Sequence, residues 1–145
     1  MTIEAREAQK TLQSLAHIVG RIKDVSERIE HFEELATRVT QSGGRNGSGG
    51  RNRSRVEAGV VGMVDLEAKL DNDYKLLVER RDKIWRAIRS MSDEEEKRMI
   101  ELKYSDGRSW VDVMQRMHIS RSSSFRIHER ALLSFWIQYN KQINV

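Results

Sequence analysis

The N-terminal part of the chain carries a heptad pattern of apolar residues between about Ala5 and Thr40. One column of apolar residues recurs at every seventh position, and a second column follows three residues later. The two columns are Leu15, Ile22, Ile29 and Ala36, and Ile18, Val25, Phe32 and Val39. Such a pair of columns is typical of a coiled-coil seam, so the pattern predicts a long amphipathic helix over residues 1–40. We expect self-association or hairpin packing through Leu15, Ile18, Ile22, Val25, Ile29 and Phe32.

A second heptad pattern covers residues 56–91. One column is complete, and it consists of Val56, Met63, Leu70, Leu77, Ile84 and Met91. The companion column is mixed, because charged residues interrupt the series Val60, Glu67, Tyr74, Arg81 and Ile88. One full and one partial column predict a second long helix that packs on a partner. An antiparallel hairpin, a dimeric bundle, or both would satisfy this pattern.

The segment between the two patterns, residues 41–55, reads QSGGRNGSGGRNRSR. It contains five glycines, three serines, four arginines and no apolar residue. A segment of this composition cannot build a core, so we interpret it as a flexible linker between the helices. An alternative is a basic arm that grips phosphates once it is bound.

A new helix is predicted after the second pattern. Ser92 and Glu95 have the spacing of a capping box, in which Ser92 is the N-cap. The acidic residues that follow Ser92 favour the positive end of the helix dipole. Apolar residues then predict a buried face, and the turn sequence Ser105-Asp106-Gly107 ends the helix. These apolar residues are Met99, Ile100, Leu102 and Tyr104.

Residues 109–135 have the pattern of a helix-turn-helix. Ser109 is a predicted N-cap, and a short helix follows with Trp110, Val113, Met114 and Met117 facing inward. His118, Ile119 and Ser120 form a tight turn, and Ser120 caps a longer second helix. The inward positions of that helix are Ile127, Ala131, Leu132 and Phe135. The pattern therefore predicts an all-α protein: a long helical hairpin or coiled coil, followed by a C-terminal helix-turn-helix domain over residues 92–145.

The distribution of charge makes DNA the expected partner of this motif. The chain of 145 residues has a net charge of +4, and residues 108–145 hold six basic and two acidic side chains. Arginine hydrogen-bonds guanine edges or phosphates, and serine contacts either bases or the DNA backbone. Helix N-termini bind phosphate. The candidate DNA-binding residues are Arg108, Ser109, Ser120, Arg121, Ser122, Ser123, Arg126 and Arg130.

Other classes of function lack their sequence signals. There is no cysteine, which excludes disulfides and thiolate metal sites. The four histidines have no metal-ligand spacing, and no phosphate-binding loop or nucleophile motif is present. We therefore expect neither an enzyme nor a protein with a metal or cofactor. No secretory signal or membrane span is visible, which favours a cytoplasmic location without membrane contact.

The motif resembles the fourth-region helix-turn-helix of sigma factors, which recognises a promoter element. The matching residues are Ser109, Val113, Met117, Ile119, Ser120, Arg121, Ile127, Ala131 and Leu132. Two positions depart from that motif: His118 stands where glycine usually opens the turn, and Ser124 where valine or isoleucine is usually buried. Histidine tolerates the left-handed conformation better than bulky residues do, whereas Ser124 weakens the expected packing.

Over residues 25–137, the chain resembles small Gram-positive phage and prophage proteins akin to the ArpU-type late transcriptional regulators. The resemblance rests on the order of two long helices, a Gly-rich break, ELKYSDGRSW and FRIHERAL. It implies a sequence-specific DNA-binding regulator of phage or prophage genes in a bacterial host. The helical segment would form a homodimer or higher oligomer, and RNA polymerase is a further possible partner. Two alternatives stay open: a small terminase-type packaging protein, and an interaction module that engages RNA polymerase or a sigma factor.

Overall fold

The structure, a computed structural model, describes residues 1–43 and 50–143, with side chains over 1–38, 62 and 64–142. Over these residues the protein is all-α, which confirms the predicted fold class. The α-helices are α1 (Ile3–Gly43), α2 (Gly50–Arg89), α3 (Glu94–Ile100), α4 (Trp110–Met117) and α5 (Arg121–Ile143). A π-helical segment, Glu101–Ser105, directly continues α3. No helix in this part of the chain has an apolar stretch long enough to cross a bilayer.

The two long helices extend into the predicted linker from both sides. Residues 41–43 belong to α1 and residues 50–55 to α2, while residues 44–49 lie outside the described part. Helix propagation is cooperative, and one glycine costs only about 1 kcal/mol relative to alanine, so a helix can continue into a Gly-containing stretch. At the other end, α2 stops at Arg89, and Met91 is buried beyond it rather than on the helix.

The predicted start of α3 at Ser92 is wrong by one residue. The N-cap is Asp93, whose carboxylate accepts a hydrogen bond from the Glu96 N–H at 2.9 Å. Aspartate and serine cap helices about equally well, so local propensity does not decide between the two registers. In the observed register Glu96, not Glu95, is the third helical residue, and its buried carboxylate accepts a hydrogen bond from Ser134 Oγ at 2.6 Å. This tertiary contact favours the observed register.

The π-helical segment places Tyr104 in the core. Its wider turn is closed by a hydrogen bond from the Asp106 N–H to the Glu101 carbonyl at 2.9 Å. Gly107 follows with φ +69°, a backbone conformation that glycine adopts without strain. The predicted turn at 105–107 therefore does end the helix, although its last turn is π-helical rather than α-helical.

One of the two compact units comprises Met1–Val19 and Glu79–Val145. In it, α3 packs closely on α5. The C-terminal part of α5 is fixed to α2 by Gln142, whose amide donates to the Lys83 carbonyl at 3.0 Å and accepts from Arg86 Nε at 3.2 Å. The first turns of α1 supply a buried apolar face of Ala5, Ala8, Leu12, Leu15 and Ile18.

The other unit, Gly20–Val78, contains the remaining parts of α1 and α2, so the two units cut across the predicted segments. Its buried apolar residues include Ile22, Val25 and Leu77. Together with Leu15 and Ile18 of the first unit, Ile22 and Val25 place four of the six predicted seam residues in the interior of a single chain. Ile29 and Phe32 are half-buried. Four of the eight residues in the two columns are therefore buried within the chain.

We predict that Leu12→Ala destabilises the protein by about 2–5 kcal/mol, because Leu12 is 1% exposed and its truncation leaves a cavity. Ile3→Ala is the matched control on the same helix, since Ile3 is 78% exposed and should change stability by no more than about 0.5 kcal/mol. Urea unfolding followed by circular dichroism measures both. Equal stability of the two variants would contradict the packing of α1 described above.

Candidate nucleic-acid interface

A small apolar cluster holds α3, α4 and α5 together. Its buried members are Met99 of α3, Val113 of α4 and Ile127 of α5. Partly buried side chains pack around them, namely Leu102, Trp110, Met117 and Ile119. Each helix contributes one apolar side to this cluster, so its opposite side faces outward. The cluster therefore determines which residues of α4 and α5 are exposed.

Ser109 is the N-cap of α4, as predicted. Its hydroxyl accepts a hydrogen bond from the Asp112 N–H at 3.2 Å. The Asp112 carboxylate in turn pairs with Arg108 Nη1 at 2.9 Å and with Arg116 Nε at 3.3 Å. The hydrogen bond from Arg108 is the main reason why the pKa of Asp112 lies below its ordinary value. Arg108 also lies 3.8 Å from the Asp106 carboxylate, so its charge is shared between two acidic neighbours.

The turn between α4 and α5 depends on His118, which adopts the left-handed conformation with φ 54° and ψ 47°. The His118 N–H bonds to the Gln115 carbonyl at 3.3 Å, and the Ile119 N–H to the Met114 carbonyl at 3.1 Å. These are the two hydrogen bonds of a Schellman motif, which satisfies the last carbonyls of a helix. The expectation that histidine can replace the usual glycine here is confirmed.

Ser120 caps α5, also as predicted, by accepting a hydrogen bond from the Ser123 N–H at 3.2 Å. Its hydroxyl donates to Ser123 Oγ, which accepts from Arg126 Nη2 at 3.3 Å. Ser124 is buried, and its hydroxyl donates to the Arg121 carbonyl at 2.6 Å. A buried polar group costs little when it is hydrogen-bonded, which explains how serine occupies this apolar slot.

The first turns of α5 present Arg121, Ser122, Phe125 and Arg126 to solvent. The Arg121 guanidinium lies 5.9 Å from the centre of the Phe125 ring. Among the described residues, no carboxylate lies within ion-pair distance of Arg121 or Arg126. The predicted residue Arg130 differs, because its guanidinium lies 3.9 Å from Glu95. The structure thus brings Arg121, Ser122, Ser123 and Arg126 together on one helix, whereas Arg108 and Arg130 engage carboxylates.

Behind this exposed face, His128 is buried between two aromatic residues. Its Nε2 is hydrogen-bonded to the Tyr104 hydroxyl at 2.7 Å, and its ring is nearly perpendicular to that of Trp110, with centroids 4.7 Å apart. Burial lowers the pKa of His128 to about 4, and the nearby charge of Lys103 acts in the same direction. Burial also raises the pKa of Tyr104 to about 12, against a smaller opposing effect of Gln9. His128 therefore packs in the interior, beneath the exposed face of α5.

Phe125 is the surface residue that the sequence analysis did not select. It is 63% exposed, although it is large and apolar. Its position could have indicated this, because it follows Arg121 by four residues and so lies on the same face of the helix. The sequence alone does not distinguish Phe125 from the apolar residues that follow it, which belong to the core.

The described residues contain no group of three or more His, Asp or Glu side chains arranged to hold a metal ion. In a comparison with known proteins, the profile of a family described as "Protein of unknown function (DUF722)" matches residues 14–132. Neither a curated protein nor a solved structure matches the chain.

We predict that His118→Gly stabilises the protein by up to about 1 kcal/mol. The left-handed conformation costs a non-glycine residue roughly 1–2 kcal/mol, and the greater freedom of glycine in the unfolded chain offsets about 0.4–1 kcal/mol of that gain. His118→Val should instead destabilise, because a β-branched residue is strongly disfavoured there. The stability of His118→Asn should be close to that of the parent. Thermal unfolding ranks the variants, and a more stable valine variant would contradict the assigned turn.

A second prediction concerns pH. The folded state keeps His128 neutral, so between pH 6.5 and about 4 the unfolded chain binds a proton that the folded chain does not. The resulting stabilisation is complete above pH 6.5 and is lost as the pH falls to about 4. It amounts to about 3 kcal/mol in the free energy of unfolding.

Urea unfolding of the parent and of His128→Gln between pH 7 and pH 4 isolates this contribution, because glutamine does not titrate. The variant should lose less stability on acidification than the parent does. His17→Gln, which removes an exposed histidine, is the matched control. Parallel stability curves for the parent and His128→Gln would refute the assignment.

Proposed function

The chain belongs to the DUF722 family, and we propose that it binds double-stranded DNA in a sequence-specific manner and regulates transcription of phage or prophage genes. The observation that carries the proposal is the exposed face of α5, where Arg121 and Arg126 have no acidic partner among the described residues. The resemblance to sigma factors and to ArpU-type regulators supports the same function.

The chemistry of this face suits the major groove. In a helix-turn-helix, the N-terminal residues of the second helix contact base edges. The guanidinium of arginine binds guanine O6 and N7 in a bidentate manner, and serine contacts base or backbone. Arg121 and Ser122 lie in the first turn of α5, and Arg126 lies one turn further along. We assign base contacts to Arg121 and Arg126 and backbone contacts to Ser122 and Ser123.

The remaining candidate residues have positioning roles in this proposal. Ser109 and Ser120 fix the starts of α4 and α5 through their capping hydrogen bonds. The guanidinium of Arg108 interacts with both Asp106 and Asp112. A phosphate would compete with these two carboxylates for it. Arg130 lies at a long ion-pair distance from Glu95 and is 64% exposed, so phosphate contact costs it little. Phosphate contacts position the protein without reading sequence.

A homo-oligomer belongs to this proposal, because two copies of α5 would read two half-sites of an operator. Four seam residues are already buried within one chain, which leaves the half-buried Ile29 and Phe32 for contact with a second copy. RNA polymerase is the proposed further partner of a regulator of this type. Light scattering separates a dimer from the large ring of subunits that a terminase-type packaging protein would form.

We predict that Arg121→Ala weakens binding to the preferred duplex by about 1–3 kcal/mol and weakens binding to random duplex much less. Arg126→Ala should act in the same direction. Lys141→Ala is the control, because Lys141 is an exposed cation near the C-terminal end of the same helix. Fluorescence anisotropy titrations of preferred and random duplexes at two salt concentrations measure the effects. Circular dichroism checks that each variant is folded.

Other outcomes of these titrations would contradict the proposal. If Arg121→Ala and Arg126→Ala bind the preferred duplex like the parent, α5 is not the reading helix. If the parent binds no duplex but associates with RNA polymerase, the protein is an interaction module. If both variants lose equal affinity for preferred and random DNA, the arginines contact only phosphate and sequence recognition lies elsewhere.

A further inference from the structure

Phe125 has an unusual environment for a residue of its type. Aromatic side chains stabilise a protein most when they are buried. Phe125, in the second turn of α5, is nevertheless 63% exposed. The apolar cluster beneath α5 uses Ile127, two residues later, and not Phe125. The only ring or charge contact described for Phe125 is with the guanidinium of Arg121. The ring therefore contributes little to the interior and is available to a ligand.

Arg121 and Phe125 form a pair on this surface. They are four residues apart, so they are neighbours on one helix face and about 6 Å apart along the axis. The guanidinium lies 5.9 Å from the ring centre, within the range of a cation–π contact. Such a contact restricts the orientation of the arginine side chain. The pair thus presents a polar fork and an apolar ring side by side.

The major groove offers one apolar group to such a ring, the C5-methyl group of thymine. Guanine is the base that the arginine fork recognises best. We propose that Phe125 contacts the methyl group of a thymine adjacent to the guanine read by Arg121. This inference rests on the proposed DNA binding and adds the identity of two adjacent bases in the site.

The test uses duplexes in which deoxyuridine replaces thymine, because this change removes the methyl group and keeps the Watson–Crick pairing. The preferred duplex is first selected from a random library with the full-length parent. Each thymine is then replaced singly, and the affinities of the parent and of Phe125→Ala are measured by anisotropy. At one position the parent should lose about fourfold in affinity, the value expected for one methyl group removed from apolar contact. Phe125→Ala should bind the thymine and deoxyuridine duplexes equally.

Two further variants make the result specific. Ile137→Ala removes another exposed apolar residue of α5, since Ile137 is 57% exposed, and it should retain the parent's sensitivity to deoxyuridine. Phe125→Leu keeps an apolar side chain and should retain part of that sensitivity. Circular dichroism of both variants shows whether a substitution on the surface of α5 alters the folding of the protein.

The outcomes distinguish this inference from the proposal beneath it. If no preferred duplex is found, both are refuted. If the parent selects a duplex but no deoxyuridine weakens its binding, DNA recognition stands and the methyl contact is refuted. If Phe125→Ala remains as sensitive to deoxyuridine as the parent, another residue contacts the methyl group. A refuted methyl contact together with undiminished affinity of Phe125→Ala would show that the exposed ring takes no part in DNA binding.

Discussion

The exposed surface of α5 depends on the apolar contact among Met99, Val113 and Ile127. These three side chains come from three helices, and their burial decides which side of α5 faces the interior. The hydrogen bonds at the helix ends then set where each helix begins. Burial of Ile127 in this cluster helps to orient the arginines of α5, which capping by Ser109 or Ser120 alone could not do. The candidate interface is thus the outer side of a packing arrangement.

Sequence patterns are most informative where a local interaction determines the structure. The caps at Ser109 and Ser120, the left-handed His118 and the buried column from Ile127 to Phe135 all follow from short-range rules. The start of α3 could not be predicted in this way, because Asp93 and Ser92 are equivalent caps. A contact between Glu96 and Ser134, 38 residues apart, favours the observed register. The π-helical segment likewise has no signal in local propensity.

The candidate site shows the same limit for charge. The sequence identifies the arginines but not their partners, since ion pairs depend on side chains that folding brings together. Arg108 and Arg116 share Asp112 within one helical region, which the spacing allows, whereas Arg130 meets Glu95 across the fold. Arg121 and Arg126 differ from these in lacking an acidic neighbour among the described residues. The exposure of Phe125 could not be predicted, because the sequence does not show whether a single apolar residue is buried.

The π-helical segment has a consequence for the evolution of this chain. A π turn holds about one residue more than the α turn that it replaces, and it rotates the following residues relative to α3. Tyr104 lies within this segment, and its hydroxyl is hydrogen-bonded to His128. Loss of one residue between Glu101 and Ser105 would restore an α turn and separate the two rings. Chains of this family that keep the tyrosine–histidine pair should therefore share the length of this segment, and length variation should accumulate elsewhere.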